Sequence, residues 1–333
     1  MMPDLSKRLG QLFIVGFPGA EPSTTFLNFI SEENIGGVIL FRDNCPTHEV
    51  TRYNIELIRN SVRGKSAFIA VDQEGGRVCR ILGAPAEFHA ASEYATELGI
   101  EKYREDYSRS AVFLESLGVN LNLAPVCDLF LNRENKCLEG RCFGDVPEDV
   151  AEFVRVSVEV SRRSGLLSCL KHFPGLGDTA IDPHKATAEA EYDRLVWEQR
   201  ERISFAAGVE SGADLIMTTH MRLPNIDDVI TTGSSKIVSS MIRKSLGFDG
   251  PVITDDLLME GAESLGDYGE RAVAAFRAGH DLLLFGQDLQ RVMEAYDSFR
   301  DAYGREEIDR DQVSASLLRI AGLKFKLGKS VLL

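Results

Sequence analysis

The sequence predicts an α/β chain closed into a single (β/α)8 TIM barrel covering residues 1–333. Three observations carry that expectation. Short apolar runs recur with helical patterns between them, about eight such runs are present, and no linker, charge block or low-complexity tract divides the chain. Most of the runs are continuously apolar rather than alternating, as strands buried on both faces must be. A closed barrel of this kind needs about 250 residues or more, and the chain has 333.

In chain order the expected strands are LFIVGF (12–17), GGVILF (36–41), AFIAVD (67–72) and GVNLNLAP (118–125), then LLSCLKHF (166–173), DLIMTTH (214–220), PVITDD (251–256) and DLLLFG (281–286). Among the helices, 147–164 has Pro147 near its start, Val150, Phe153, Val154 and Val158 at helical spacing, and Gly165 as its stop. Segment 193–211 keeps Leu195, Val196, Ile203, Ala206 and Val209 for a core face, and 268–278 ends at Gly279. Two further amphipathic stretches, 288–302 and 309–326, follow the last strand. An open doubly wound sheet is the competing architecture. It calls for a glycine-rich turn after strand one, and the prolines of GFPGAEP make a poor phosphate cradle.

Composition narrows the function. A hydrophobic fraction of 44% and a charged fraction of 26% belong to a globular protein. A net charge of −14 disfavours nucleic acid and anionic lipid, which need a basic face. The apolar patch near the N-terminus is too short for a membrane span or a signal segment, and no other run approaches membrane length. The cysteines Cys45, Cys79, Cys127, Cys137, Cys142 and Cys169 show no C-x-x-C spacing and read as free buried thiols. The expectation is a cytoplasmic protein with reduced thiols, and a monomer.

Catalytic groups of a barrel sit where strands end and βα loops begin. Strand three ends in Asp72, followed by QEGGRVCR; strand four runs into Asp128; strand five gives Lys171 and His172; strand six His220; strand seven Asp255 and Asp256. Charges at the ends of buried strands must be paired or face a cavity, so converging ends imply a polar pocket. Each residue alone has a plainer reading. Asp72 or Asp128 also suits a helix cap, His220 suits a packed and hydrogen-bonded imidazole, and His48, His89 and His280 carry no supporting neighbours. Alternation sends Asp255 and Asp256 different ways, one to the pocket and the other to a cap or pair. In KHFPGLGDTAIDPHKA (171–186), Asp182 stands two residues before His184, where a carboxylate can fix the tautomer of an imidazole and tune it as a proton donor and acceptor. A surface Asp–His contact is the plainer alternative, but the glycines and prolines around the pair describe a long shaped loop of the kind that carries function.

The stretches VDQEGGRVCR (71–80), KHFPGLGDTAIDPH (171–184), IMTTHM (216–221) and PVITDDLLMEGA (251–262) span most of the chain. Together they resemble the family 3 glycoside hydrolases, and within them the single-domain bacterial β-N-acetylhexosaminidases of the NagZ type. The resemblance implies a TIM barrel and a retaining mechanism without metal or organic cofactor. It puts the nucleophile at Asp255 and the acid/base at His184, assisted by Asp182. Asp72, Arg80, Arg141, Lys171 and His172 are then expected to hold the hydroxyls and acetamido group of an N-acetylglucosamine. Lys171 and Arg80 are expected to keep Asp255 ionised. The family further suggests peptidoglycan recycling on disaccharides containing anhydro-N-acetylmuramic acid, with chitooligosaccharide trimming as the other option. The chain departs from the family pattern at Pro183, where serine is usual, and in KATAEA, which lacks the usual proline after the histidine.

Other chemistries fit parts of the pattern. A metal-dependent barrel hydrolase would use His172, His184, His220 and Asp255, but Lys171 would repel the cation. A sugar-binding protein without activity, a β-glycosidase and a phosphorolytic enzyme on the same fold complete the alternatives.

Overall fold

In the computed structural model, which describes residues 5–62, 67–180 and 187–328, eight parallel strands form one sheet wrapped into a barrel. They are β1 (Phe13–Val15), β2 (Gly37–Leu40), β3 (Phe68–Val71), β4 (Leu121–Asn122), β5 (Leu167–Phe173), β6 (Leu215–Thr218), β7 (Val252–Thr254) and β8 (Leu283–Phe285). Pairing runs in chain order from β1 to β7, and β8 pairs with β1. The last seam closes through a parallel bridge between Ile253 and Leu282, with the Thr254 N–H donating to the Leu282 carbonyl at 3.1 Å. All eight strands fall inside the apolar runs expected to form them. They are shorter than those runs, most clearly at β4. Pro125 has no N–H to give the ladder, and beyond Asn122 the contact with β5 continues irregularly, through the Ala124 and Pro125 carbonyls.

Each strand is followed by a helical segment. These are α1 (Thr24–Glu32), α2 (His48–Ser61), α3 (Ile100–Leu117), α4 (Pro147–Arg163), α5 (Arg194–Gln199) with α6 (Glu201–Glu210), a π-helical turn over Lys236–Ser245, α7 (Tyr268–Ala278) and α8 (Leu289–Gly304), with α9 (Arg310–Lys326) added at the end. Helix α7 has the predicted stop, with Gly279 at φ 112°, and starts on a capping box of Asp267 and Glu270. The expected helix 193–211 is in fact two. Arg200 takes φ −129° and ψ −85°, outside the helical region, and its guanidinium reaches Asp178 at 2.9 Å. That tertiary contact overrides a periodicity that reads as continuous.

The core is one apolar mass filling the barrel and the strand–helix interface, with Phe13 packed against Phe285, Tyr296 and Phe299. At the N-terminal end of the barrel, buried Lys324 of α9 donates to Gln11 at 2.6 Å and lies over Phe68. All six cysteines are buried, and none is in a disulfide. Among the described residues no helix is long and apolar enough to cross a membrane.

Candidate active site

Beyond β3 the chain turns through a small hairpin, Gln73–Gly75 against Val78–Cys79. Gly75 and Gly76 make the turn at φ 96° and 56°, and a Cβ on Gly75 would collide with the His89 carbonyl. Alternation along the extended segment sends Asp72 and Glu74 toward the barrel mouth and Gln73 the other way. The Gln73 amide donates to the Ile81 and Ala86 carbonyls, and its oxygen accepts from the Arg80 and Ile81 N–H groups.

The side chains around the mouth form one continuous series of contacts. Arg80 pairs with Asp72 at 3.2 Å, and the Lys171 ammonium lies 2.7 Å from Asp72 and 2.6 Å from Glu74. Arg141 grips both oxygens of Glu74 through Nε and Nη2, each at 2.8 Å. Its Nη2 also donates to His172 Nε2 at 3.2 Å, and His172 Nδ1 meets Asp128 at 2.6 Å. A guanidinium has only donors, so Nε2 of His172 accepts and Nδ1 carries the proton given to Asp128. Asp128 accepts in addition from the N–H groups of His172 and Leu176. Burial pushes the Asp72 and Glu74 carboxyls up, but the neighbouring cations outweigh it. Lys171 and Arg80 hold Asp72 below the usual carboxylate range, and Arg141 and Lys171 do the same for Glu74. Burial acts to lower Lys171, but the two carboxylates outweigh it and hold its ammonium above the usual lysine range.

Asp128 lies behind His172. Asp72, Glu74, Arg80, Arg141, Lys171 and His172 line a cavity of about 400 Å³ at the C-terminal ends of the strands, together with Asp255 and Asp256 from the end of β7. Both acidic residues border it, but their surroundings differ. Asp256 Oδ1 accepts from the Leu258 and Gly286 N–H groups, so its side chain ties β7 to β8. Asp255 Oδ1 accepts from the Asp256 N–H at 2.8 Å. His220 donates through Nε2 to the Asp256 carbonyl at 2.9 Å and meets Thr232 through Nδ1, which makes it a buried brace for this corner.

Asp72, Arg80, Arg141, Lys171, His172 and Asp255 are therefore brought to one cavity. Asp182 and His184 lie outside the described residues. Lys171 and Arg80, the cations expected beside Asp255, line the same cavity; among the described residues Lys171 makes ion pairs with Asp72 and Glu74, and Arg80 with Asp72. Two residues of the site exceed what the sequence assigns them: Glu74, given no role, and the buried Asp128, expected only as a strand-end charge or a helix cap. Glu74 was accessible through alternation, two positions after Asp72. Asp128 was visible only as an acidic residue past a strand. Both ring nitrogens of His172 and of His220 are engaged by protein groups, which leaves neither imidazole a nitrogen for a metal. Among the described residues no group of three or more His, Cys, Asp or Glu side chains is placed to hold a metal ion.

A parallel eight-stranded barrel whose strand ends converge on one charged cavity is the architecture of a TIM-barrel enzyme, whose active site lies at that face. Residues 4–323 match the N-terminal domain of glycosyl hydrolase family 3, and the chain belongs to that family. It is 31% identical to beta-hexosaminidase A of Pseudoalteromonas piscicida over 90% of this chain and 55% of that protein. It is 30% identical to a beta-hexosaminidase of Xanthomonas oryzae pv. oryzae over 82% of this chain and 83% of that one. The chain thus spans about half the length of the Pseudoalteromonas relative. Among solved structures, a family 3 beta-N-acetylglucosaminidase from Paenibacillus sp. FPU-7 superposes with a TM-score of 0.91 at 29% identity, covering 99% of this chain and 64% of that one. A beta-N-acetylhexosaminidase from Beutenbergia cavernae gives 0.90 at 28%, covering 97% and 98%.

Proposed function

We propose that the chain is a retaining β-N-acetylhexosaminidase of the NagZ type that releases terminal β-linked N-acetylglucosamine through a covalent glycosyl-enzyme. The observation that carries this reading is the placement of Asp255, at the end of β7, in the same cavity as Asp72, Lys171, His172 and Arg141. A glycosidic bond breaks through an oxocarbenium-like state that needs a carboxylate beneath the ring and a proton donor at the leaving oxygen. Asp255 supplies the carboxylate and bonds to the anomeric carbon as the leaving oxygen departs. His184, oriented by Asp182, gives that oxygen its proton. In the second step the imidazole takes a proton from water, the water oxygen bonds to the anomeric carbon, and Asp255 is released. Two displacements at one carbon retain its configuration. The paired ions along the wall offer donors and acceptors in fixed directions to the sugar hydroxyls and acetamido group. The names of the relatives support the amino sugar, and the disaccharide of recycled peptidoglycan is the substrate we favour.

Hydrolysis of p-nitrophenyl N-acetyl-β-glucosaminide, followed by trapping with a 5-fluoro glycosyl reagent and peptide mapping, tests the mechanism. The label is expected on Asp255. Label on another residue, or sugar binding with no turnover, overturns the proposal. So does loss of activity to EDTA with recovery on zinc, or a glycosyl phosphate product in phosphate buffer.

A further inference from the structure

We propose that Glu74 is the positioning residue of this pocket, fixing the guanidinium of Arg141 and the ammonium of Lys171 in the orientation that receives the sugar. The inference rests on the sugar-pocket reading above and names a residue to which that reading gives no role. Glu74 lines the cavity and is buried. Its two oxygens take the Nε and Nη2 hydrogens of Arg141 side-on, the geometry that defines the plane of a guanidinium as well as its position.

The same carboxylate stands 2.6 Å from Lys171 Nζ, whose second partner is Asp72 at 2.7 Å. An ammonium on a flexible stem has three donors. With two of them committed to Asp72 and Glu74, the direction of the third is set. One carboxylate therefore orients two cations and, through Arg141, the imidazole of His172. Among the ionisable side chains of the described residues, Asp72 orients only Lys171 and Arg80, and Asp128 only His172.

Without the charge of Glu74, two cations with side chains only 10% and 3% exposed would be left near one another, Lys171 with Asp72 as its counter-charge and Arg141 with Asp128 as the next carboxylate acting on it. The groups facing Lys171 are Asp72 and Glu74, which favour its ammonium, and Arg141, which opposes it; Cys169 lies on its own strand and Asp255 in the same cavity. Removing Glu74 leaves the opposition of Arg141 in place and takes away one of the two attractions.

Glu74→Gln keeps the shape and removes the charge, whereas Glu74→Asp keeps the charge and shortens the reach. Calorimetric binding of N-acetylglucosamine from about pH 6 to about pH 10, with crystal structures of both variants, separates the roles. Glu74→Gln is expected to weaken binding about tenfold or more, to lose its remaining affinity at lower pH than the wild type, and to show Arg141 displaced. Glu74→Asp is expected to weaken binding while keeping the wild-type pH dependence. Wild-type affinity in Glu74→Gln overturns the proposal. An equal loss in both variants at every pH, with Arg141 and Lys171 unmoved, also overturns it. Wild-type protein that does not bind N-acetylglucosamine overturns the sugar-pocket reading instead, and the crystal structures then decide whether Glu74 orients the two cations.

Discussion

Asp128 touches no part of the cavity surface, yet it decides which nitrogen of His172 carries the proton. Both of its oxygens accept: Oδ2 from the ring and backbone of His172, Oδ1 from the Leu176 N–H. An amide in its place must turn an NH2 group against one of those donors, an unsatisfied contact worth about 1–3 kcal/mol. Asp128→Asn should therefore lower kcat/KM by about 10- to 100-fold, measured with the aryl N-acetylglucosaminide. Asp255→Ala removes the proposed nucleophile and should cost several orders of magnitude in kcat. His184→Ala should cost about a hundredfold or more with poor leaving groups and less with activated aryl ones. Equal losses with both substrate types would argue against the proton-transfer role. At this scale Asp72, Lys171, His172 and Asp255 were legible because charge at the end of an apolar strand is conspicuous. Asp128 was conspicuous in the same way, but its role was not, because that role lies in a partner 44 positions away.

The segment after β5 shows how elements place a site. Trp197 of α5 donates to the Pro174 carbonyl at 2.9 Å, Tyr192 donates to the Gly175 carbonyl at 2.9 Å, and Arg200 pairs with Asp178. Gly177 presses against the backbone of Leu129 so closely that a Cβ would collide with its carbonyl. The pattern GLG says that the chain turns; the neighbouring strand-end loop says why a side chain is forbidden. Gly177→Ala is expected to destabilise the fold by about 2 kcal/mol, seen as a lower Tm, with weaker N-acetylglucosamine binding because the root of the segment must shift. An unchanged Tm would mean that the loop after β4 yields at no cost. The break between α5 and α6 belongs to the same scale, since Arg200 leaves the helical region where it meets Asp178 and Glu201.

Across the whole molecule, pH should act in two stages. His280 is fully buried between β6 and α7, donating through Nδ1 to the Ala275 carbonyl and accepting from Thr218. Burial lowers it from 6.5 to about 4. The unfolded chain therefore binds the extra proton first, and stability falls as pH drops from about 6.5 to about 4, by on the order of 3 kcal/mol. Asp72 and Glu74 are held below their ordinary range, so their contribution is whole above about pH 4 and is lost as pH falls below it. Urea unfolding at about pH 7 and pH 4.5 should show the first loss in the wild type and a smaller one in His280→Gln. An identical loss in both would assign it to other groups.

Strand number, strand order along the chain and the apolar character of each run were determined by the sequence itself, because a strand covered on both faces can hold little besides apolar residues. The strand ends that carry charge were determined in the same way. Tertiary structure alone decided the partnerships. Lys171 meets Asp72 across 99 positions, and Arg141 meets Glu74 across 67. No local periodicity encodes such pairs; they exist because closing the barrel brings every strand end to one rim, where a buried charge must find its counter-charge or forgo burial.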